Sequence, residues 1–291
     1  MLQINLGGFM RAIDVYDKLE EDFISKDLSD DWARFMGEVE EYICDNFKER
    51  SIGLVCDFTE EIGEVYSAVF PTNKVMQKLI DNEVKDAMLF LHHPSNWDIR
   101  RSQPFYQMDK ELLEKFKINR ISIYILHVPL DNYSEYSTSK TLADALDIVV
   151  EKPFKRYFGS LSGVIGRTNC STIKELQDRY SQLLGHETKL YHYGKSEILD
   201  GKVAIVAGGG NSIDTVSEML EEEVKVLITG ISTNIERYSE VHKFENDNKV
   251  NVLGGTHYSS EKFACLKMCT YFEKLGLLST FIHGEPVYED M

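Results

Sequence analysis

Residues 87–94 read AMLFLHHP, and residues 121–131 read ISIYILHVPLD. Each opens on a run of five or six mostly apolar or β-branched residues, too short for a helix and typical of a buried strand. Each then breaks without a spacer into imidazole. Pro94 stops the first run, and Asp131 lies four residues beyond His127. The pattern returns at 249–261, KVNVLGGTHYSSE, where a strand runs into Gly254-Gly255-Thr256-His257 and Glu261 follows four residues on. In open α/β sheets, ligands bind at the carboxyl ends of strands, so three such ends can meet although they are far apart in sequence.

Outward from these runs, strand and helix patterns alternate. Helices are predicted over 10–24, 32–47 (with Asp30 or Asp31 as its cap), 73–82, 109–116, 137–146, 172–184, 213–222 and 259–275. Strands are predicted over 51–57, 159–166, 189–193, 202–207 and 224–229, besides the three above. The first nine residues read as a ragged extension. This alternation predicts an α/β protein with two interleaved lobes and mostly parallel sheets. A weak boundary near residue 150 gives a metal-binding lobe of 1–148 plus 249–291 and a second lobe of 149–248. No internal repeat or linker interrupts the 291 residues.

Charge narrows the function. The formal net charge is −16, which argues against a surface built for nucleic-acid phosphates or anionic membrane. No run approaches the roughly 20 apolar residues of a membrane span, and the N-terminus lacks the regions of a secretory signal. The five cysteines (Cys44, Cys56, Cys170, Cys265, Cys269) form no C-x-x-C pair, and Cys265 and Cys269 share a helix face as core thiols. A reduced, cytoplasmic setting is expected.

Of eight histidines, His92, His93, His127 and His257 sit at strand ends, and His186, His192, His242 and His283 read as solvated or structural. Adjacent imidazoles at a strand end suit two different ions better than one. Imidazole and carboxylate donors together suit zinc, iron, manganese or nickel. Gly208-Gly209-Gly210 follows a strand, but Ile213 stands where a dinucleotide fingerprint needs glycine. There is no Walker A or G-x-S-x-G sequence. Arg100 and Arg101 are either a solvated loop or a reach toward phosphate. Trp97, Phe105 and Tyr106 either line a pocket mouth or pack.

LFLHHPSNW, HVPLDNYSEYSTSKTLADALDI and LGGTHYSSEKFACLKM together resemble the Nif-three-like family, dinuclear-metal hexameric proteins also described as GTP cyclohydrolase I type 2 homologues. The stretches VCDFTEEIGEVYSAVFPTN and KVAIVAGGGNSIDTVSEML with VKVLITG extend the likeness over most of the chain from about residue 10. The resemblance implies two divalent metal ions held by His92, His93, Asp131, His257 and Glu261, with Glu261 bridging. It implies a proton-transfer or supporting role for His127, and a homohexamer arranged as a trimer of dimers. Two departures stand out. Ile231 follows Thr229-Gly230 where the family usually has an acidic residue, and the long inserted domain of larger members is missing.

The expectation is a metal-dependent hydrolase in which the metals activate water and His127 moves protons, acting on a small anion such as a nucleotide or phosphoester. A GTP cyclohydrolase-like reaction is its narrower form. The alternative is a metal-binding scaffold or regulatory interaction protein without turnover.

Overall fold

The computed structural model describes residues 8–291, so the ragged extension expected for the first nine residues lies, for 1–7, outside the described residues. Packing divides the chain into two compact units, residues 1–130 with 265–284 and residues 131–264 with 285–291. The architecture is mixed α/β, as the alternation predicts.

In the first unit a five-stranded sheet runs in the order Leu278–Phe281, Glu64–Ala68, Ala87–Leu91, Ile121–Ile125 and Gly53–Cys56. Four strands are parallel, and only Gly53–Cys56 runs antiparallel. Every residue of Ala87–Leu91 and Ile121–Ile125 is buried, which is why both read as continuous apolar runs and not as alternations. Helices Asn73–Asp81 and Lys110–Asn119 bring Met76, Leu79, Leu113 and Phe116 into one core with Leu89, Leu91 and Ile123. Each helix starts on a side-chain cap. Thr72 Oγ1 accepts from Val75 N at 3.2 Å, and Asp109 Oδ1 accepts from Leu112 N at 3.1 Å.

Some expectations change here. The helix expected over 32–47 is two 3₁₀ turns, Trp32–Phe35 and Gly37–Tyr42, followed by a short α-helix, Asp45–Arg50. Gly37 falls in the middle of that stretch, and no carboxylate caps Trp32–Phe35. The strand Leu278–Phe281 escapes the pattern because it is an edge strand with half its residues exposed.

The second unit carries a six-stranded sheet in the order Lys189–Tyr191, Asn251–Gly254, Val226–Thr229, Lys202–Val206, Ser160–Arg167 and Val149–Tyr157. Only its centre is parallel, from Lys202–Val206 through Asn251–Gly254; the outer pairings are antiparallel. Val149–Tyr157 was not expected as a strand. It buries only Phe154, mixes charges with Pro153, and lies on the edge, where proline and charge are tolerated. Phe158 and Gly159, at φ 45° and 88°, turn it into Ser160–Arg167 through the tight hairpin that positive φ at both central residues permits.

The unit boundaries also run differently from the sequence-derived lobes. Asn251–Gly254 pairs inside the second sheet, and Leu142, Ala143 and Leu146 share a core with Val203, Ile205 and Leu253. Residues 131–148 and 249–264 therefore pack with the second unit. The boundary at 264/265 falls within the single helix His257–Lys274.

Leu89, fully buried in the central strand of the first sheet, should cost about 2–5 kcal/mol when truncated to alanine, read as a lower denaturant midpoint at unchanged slope. A pH-dependent contribution comes from Asp86. Arg120 donates to both its carboxylate oxygens (2.5 and 2.6 Å) and holds its pKa below the ordinary 3.8. A lowered folded pKa means this stabilisation is present above the ordinary value and lost as pH falls through the lowered one. In Arg120→Gln, stability should fall less steeply below pH about 4, measured by denaturation across that range.

Candidate metal centre

Strand ends position the first group of side chains. After Leu91 the ladder continues for two residues, with His92 N donating to Ala68 O (3.3 Å) and His93 N to Val69 O (3.0 Å). Both imidazoles are thus fixed to the sheet by their own backbone. Leu126 N donates to Leu91 O at 3.1 Å, which aligns the neighbouring strand so that His127 begins where His92 does. His92, His93 and His127 are 0%, 2% and 7% exposed. Each offers a nitrogen within 4.8 Å of those of the other two, an arrangement able to hold a metal ion.

Partners orient these rings. His92 Nδ1 lies 3.0 Å from Leu126 O, so it carries the proton and Nε2 carries the lone pair. His93 stacks on Phe70 at 4.6 Å between centroids and 12° between planes, and Trp32 meets it edge-on at 5.8 Å. His127 Nδ1 lies 2.8 Å from Asp30 Oδ2 and 2.9 Å from the indole Nε1 of Trp32. Trp97 and Phe105 pack against each other at 4.7 Å, and Phe105 packs on Trp32 at 4.6 Å with its ring 6.0 Å from that of His93. Arg100 donates to both oxygens of Asp98 at 2.7 and 2.9 Å and thereby lowers that carboxyl's pKa. Arg101 lies over the Tyr106 ring at 3.9 Å.

The second unit supplies another pair. His257 Nε2 and Glu261 Oε1 are 3.2 Å apart on the first turns of His257–Lys274, both about 4% exposed. That helix starts on a dense cap. Thr256 Oγ1 accepts from Ser259 N (3.1 Å), and Asp290 Oδ2 accepts from His257 N (2.9 Å), placing a carboxylate at the positive end of the helix dipole. Gly208 N donates to Ser260 Oγ at 2.9 Å, which draws the glycine loop onto the same turn. Burial lowers the pKa of neighbouring Lys262. Asp131 accepts from Thr138 Oγ1 at 2.6 Å, so the hydroxyl at the start of Thr138–Ala145 orients it.

The sequence-predicted residues are therefore grouped as His92, His93 and His127 in the first unit and His257 with Glu261 in the second, with Asp131 held by Thr138. The donors fit a divalent metal: nitrogens and carboxylate oxygens, buried, with ring orientation set by second partners. Of the other histidines, His242 is a buried structural group bonded to Ser232 O (3.0 Å), and His186 bonds Ser259 Oγ (2.8 Å). Sequence reading missed Asp30, Trp32, Ser260 and Asp290. Only Asp30 had been singled out, and as a helix cap.

Gly208, at φ +67°, explains the glycine loop. A Cβ there would meet Glu261 Oε1 at 2.0 Å and His257 Cδ2 at 3.2 Å. Gly208→Ala should displace the Glu261 carboxylate and add about 1–2 kcal/mol of left-handed backbone strain, read as lost metal in elemental analysis and a lower melting temperature.

Residues 42–283 match the family profile described as Duf34/NIF3 (NGG1p interacting factor 3). A Pyrococcus horikoshii protein named GTP cyclohydrolase 1 type 2 homolog is 26% identical over 223 residues, 75% of this chain and 84% of that one. A Borreliella burgdorferi protein of the same name is 27% identical over 235 residues, covering 80% and 86%. Among solved structures, the protein ybgI, described as of unknown function, superposes with a TM-score of 0.73 at 18% identity over 95% of this chain and 100% of that one, a likeness of fold. No helix among the described residues is long and apolar enough to cross a membrane.

Proposed function

This chain belongs to the Duf34/NIF3 (NGG1p interacting factor 3) family, and from that membership we propose a dinuclear metal-dependent hydrolase acting on a small anionic metabolite, a nucleotide or phosphoester. The observation that carries the reading is the trio His92, His93 and His127, three imidazoles buried together at the ends of two parallel strands. Burying so many ring nitrogens is costly for a core that only needs to pack. By the family likeness, His92 and His93 with Asp131, His257 and Glu261 would hold two divalent ions, with Glu261 shared between them.

When bound, the ions supply Lewis acidity and make water a nucleophile near neutral pH. His92, His93, Asp131, His257 and Glu261 would hold them. His127 holds and moves the proton of the reaction, and Trp32, Phe70 and Phe105 keep bulk water from the imidazoles. The chain's charge of −16 disfavours polyanions, while two divalent ions reverse the sign locally and admit a small anion. The proposal includes a cytoplasmic homohexamer, a trimer of dimers, for which light scattering should return a mass near six times 33.5 kDa.

Elemental analysis after mild purification should approach two equivalents of metal per chain, and Glu261→Ala should lose most of both; full retention in that variant overturns the shared role of Glu261. Metal-loaded protein, incubated with a nucleotide and phosphoester panel including GTP, should turn over at least one compound, stop on chelation, and fall by about 10²-fold or more in His127→Ala. Full metal content with no turnover of any compound would favour the non-catalytic scaffold.

A further inference from the structure

We infer that Asp30 is the positioning residue of His127: it holds the imidazole in the tautomer protonated at Nδ1 and leaves Nε2 as the nitrogen that carries the lone pair. Asp30 lies outside the family-matched segment 42–283, and His127 lies within it. For its chemical consequence the inference rests on the proposed proton-transfer role of His127; its geometric part stands apart from it.

The Asp30 side chain is 1% exposed and that of His127 8%. A carboxylate this buried needs donors on both oxygens. Oδ1 accepts from Asp31 N at 2.9 Å, and Oδ2 lies 2.8 Å from His127 Nδ1. The same nitrogen is 2.9 Å from the indole Nε1 of Trp32, and the two neighbours make opposite demands on it. An indole N–H only donates, which calls for a bare Nδ1; a carboxylate only accepts, which calls for Nδ1–H. If Nδ1 were bare, two lone pairs would face each other at 2.8 Å in a site with little water to separate them. The charge-assisted bond is about twice as strong as a neutral one, so the carboxylate decides the tautomer.

The lone pair on Nε2 then belongs to the cluster that His127 forms with His92 and His93. His92 is set the same way by a different acceptor, Leu126 O, at 3.0 Å. Two of the three rings therefore have Nδ1 committed to a backbone or carboxylate oxygen, the arrangement that orients imidazoles toward a cation or a reacting proton. Asp30 itself is held by the chain that follows it. Trp32 packs edge-on against His127 at 5.2 Å, and Ala33 N donates to Ser51 Oγ at 2.8 Å.

Solid-state ¹⁵N NMR of the full chain labelled at histidine ring nitrogens, with the His127 signals assigned by their loss in His127→Gln, reads the tautomer directly. The metal-free wild type should show His127 protonated at Nδ1 and bare at Nε2. In Asp30→Ala the indole N–H still faces Nδ1, and the proton should move to Nε2; Trp32→Phe should keep it on Nδ1. A wild-type ring protonated at Nε2 overturns the inference without any variant. So does an unchanged pattern in Asp30→Ala, or a proton shift in Trp32→Phe. With a substrate from the panel, kcat should fall about 10–100-fold in Asp30→Ala with KM nearly unmoved. A panel with no turnover overturns the hydrolase reading, while the tautomer spectra still decide the part played by Asp30.

Discussion

Three imidazoles buried at the ends of adjacent parallel strands impose the constraint on which the rest of this structure depends. A buried ring nitrogen without a partner costs free energy, so each histidine must be placed and oriented by something equally buried. The sheet does the placing. Parallel pairing of Glu64–Ala68, Ala87–Leu91 and Ile121–Ile125 brings their carboxyl ends to one level, and the carbonyls of Ala68, Val69 and Leu126 take up hydrogens from His92 and His93. A strand reversed in direction would put its histidine at the opposite edge.

The helix His257–Lys274 carries the same logic into the second unit. Its first turn is capped by Thr256 and Asp290 and drawn to the glycine loop by Ser260, and its middle is tied by Cys265 to Ser67 and Ala68. Cys265 is therefore more than a core thiol, since its Sγ and its carbonyl both bond the strand that supports His92. The glycine at 208 belongs to this network as well. It makes room for a carboxylate, which explains a Gly-rich turn after a strand without any nucleotide.

Aromatic rings complete the first unit's cluster. Trp32, Phe70 and Phe105 enclose His93 and His127 and exclude water, which strengthens every polar contact inside and raises the cost of each unmade one. That is why Asp30, in contact with bulk solvent through only 1% of its side-chain surface, is an acute electrostatic choice and would be a trivial one on the surface. Neither Asp30, engaged with His127, nor Asp31, paired with Arg34, caps the following turn, and the segment expected as one helix over 32–47 forms two 3₁₀ turns and the start of a short α-helix.

Sequence by itself determined the central strands and the candidate donors, because buried parallel strands are continuous apolar runs and because His92, His93, His127, His257 and Glu261 follow such runs at once. It also determined the mixed α/β class. It could not find Val149–Tyr157 or Leu278–Phe281, edge strands whose exposure erases the pattern. Nor could it place the division of the chain, since Asn251–Gly254 is assigned by its hydrogen-bonding partners and not by its own residues. Only the tertiary structure decided that Asp30 faces His127, that Asp290 caps His257 and that Gly208 yields to Glu261. Each of these is a contact between residues more than 30 positions apart, and local periodicity carries no signal about which distant side chain a buried carboxylate will meet.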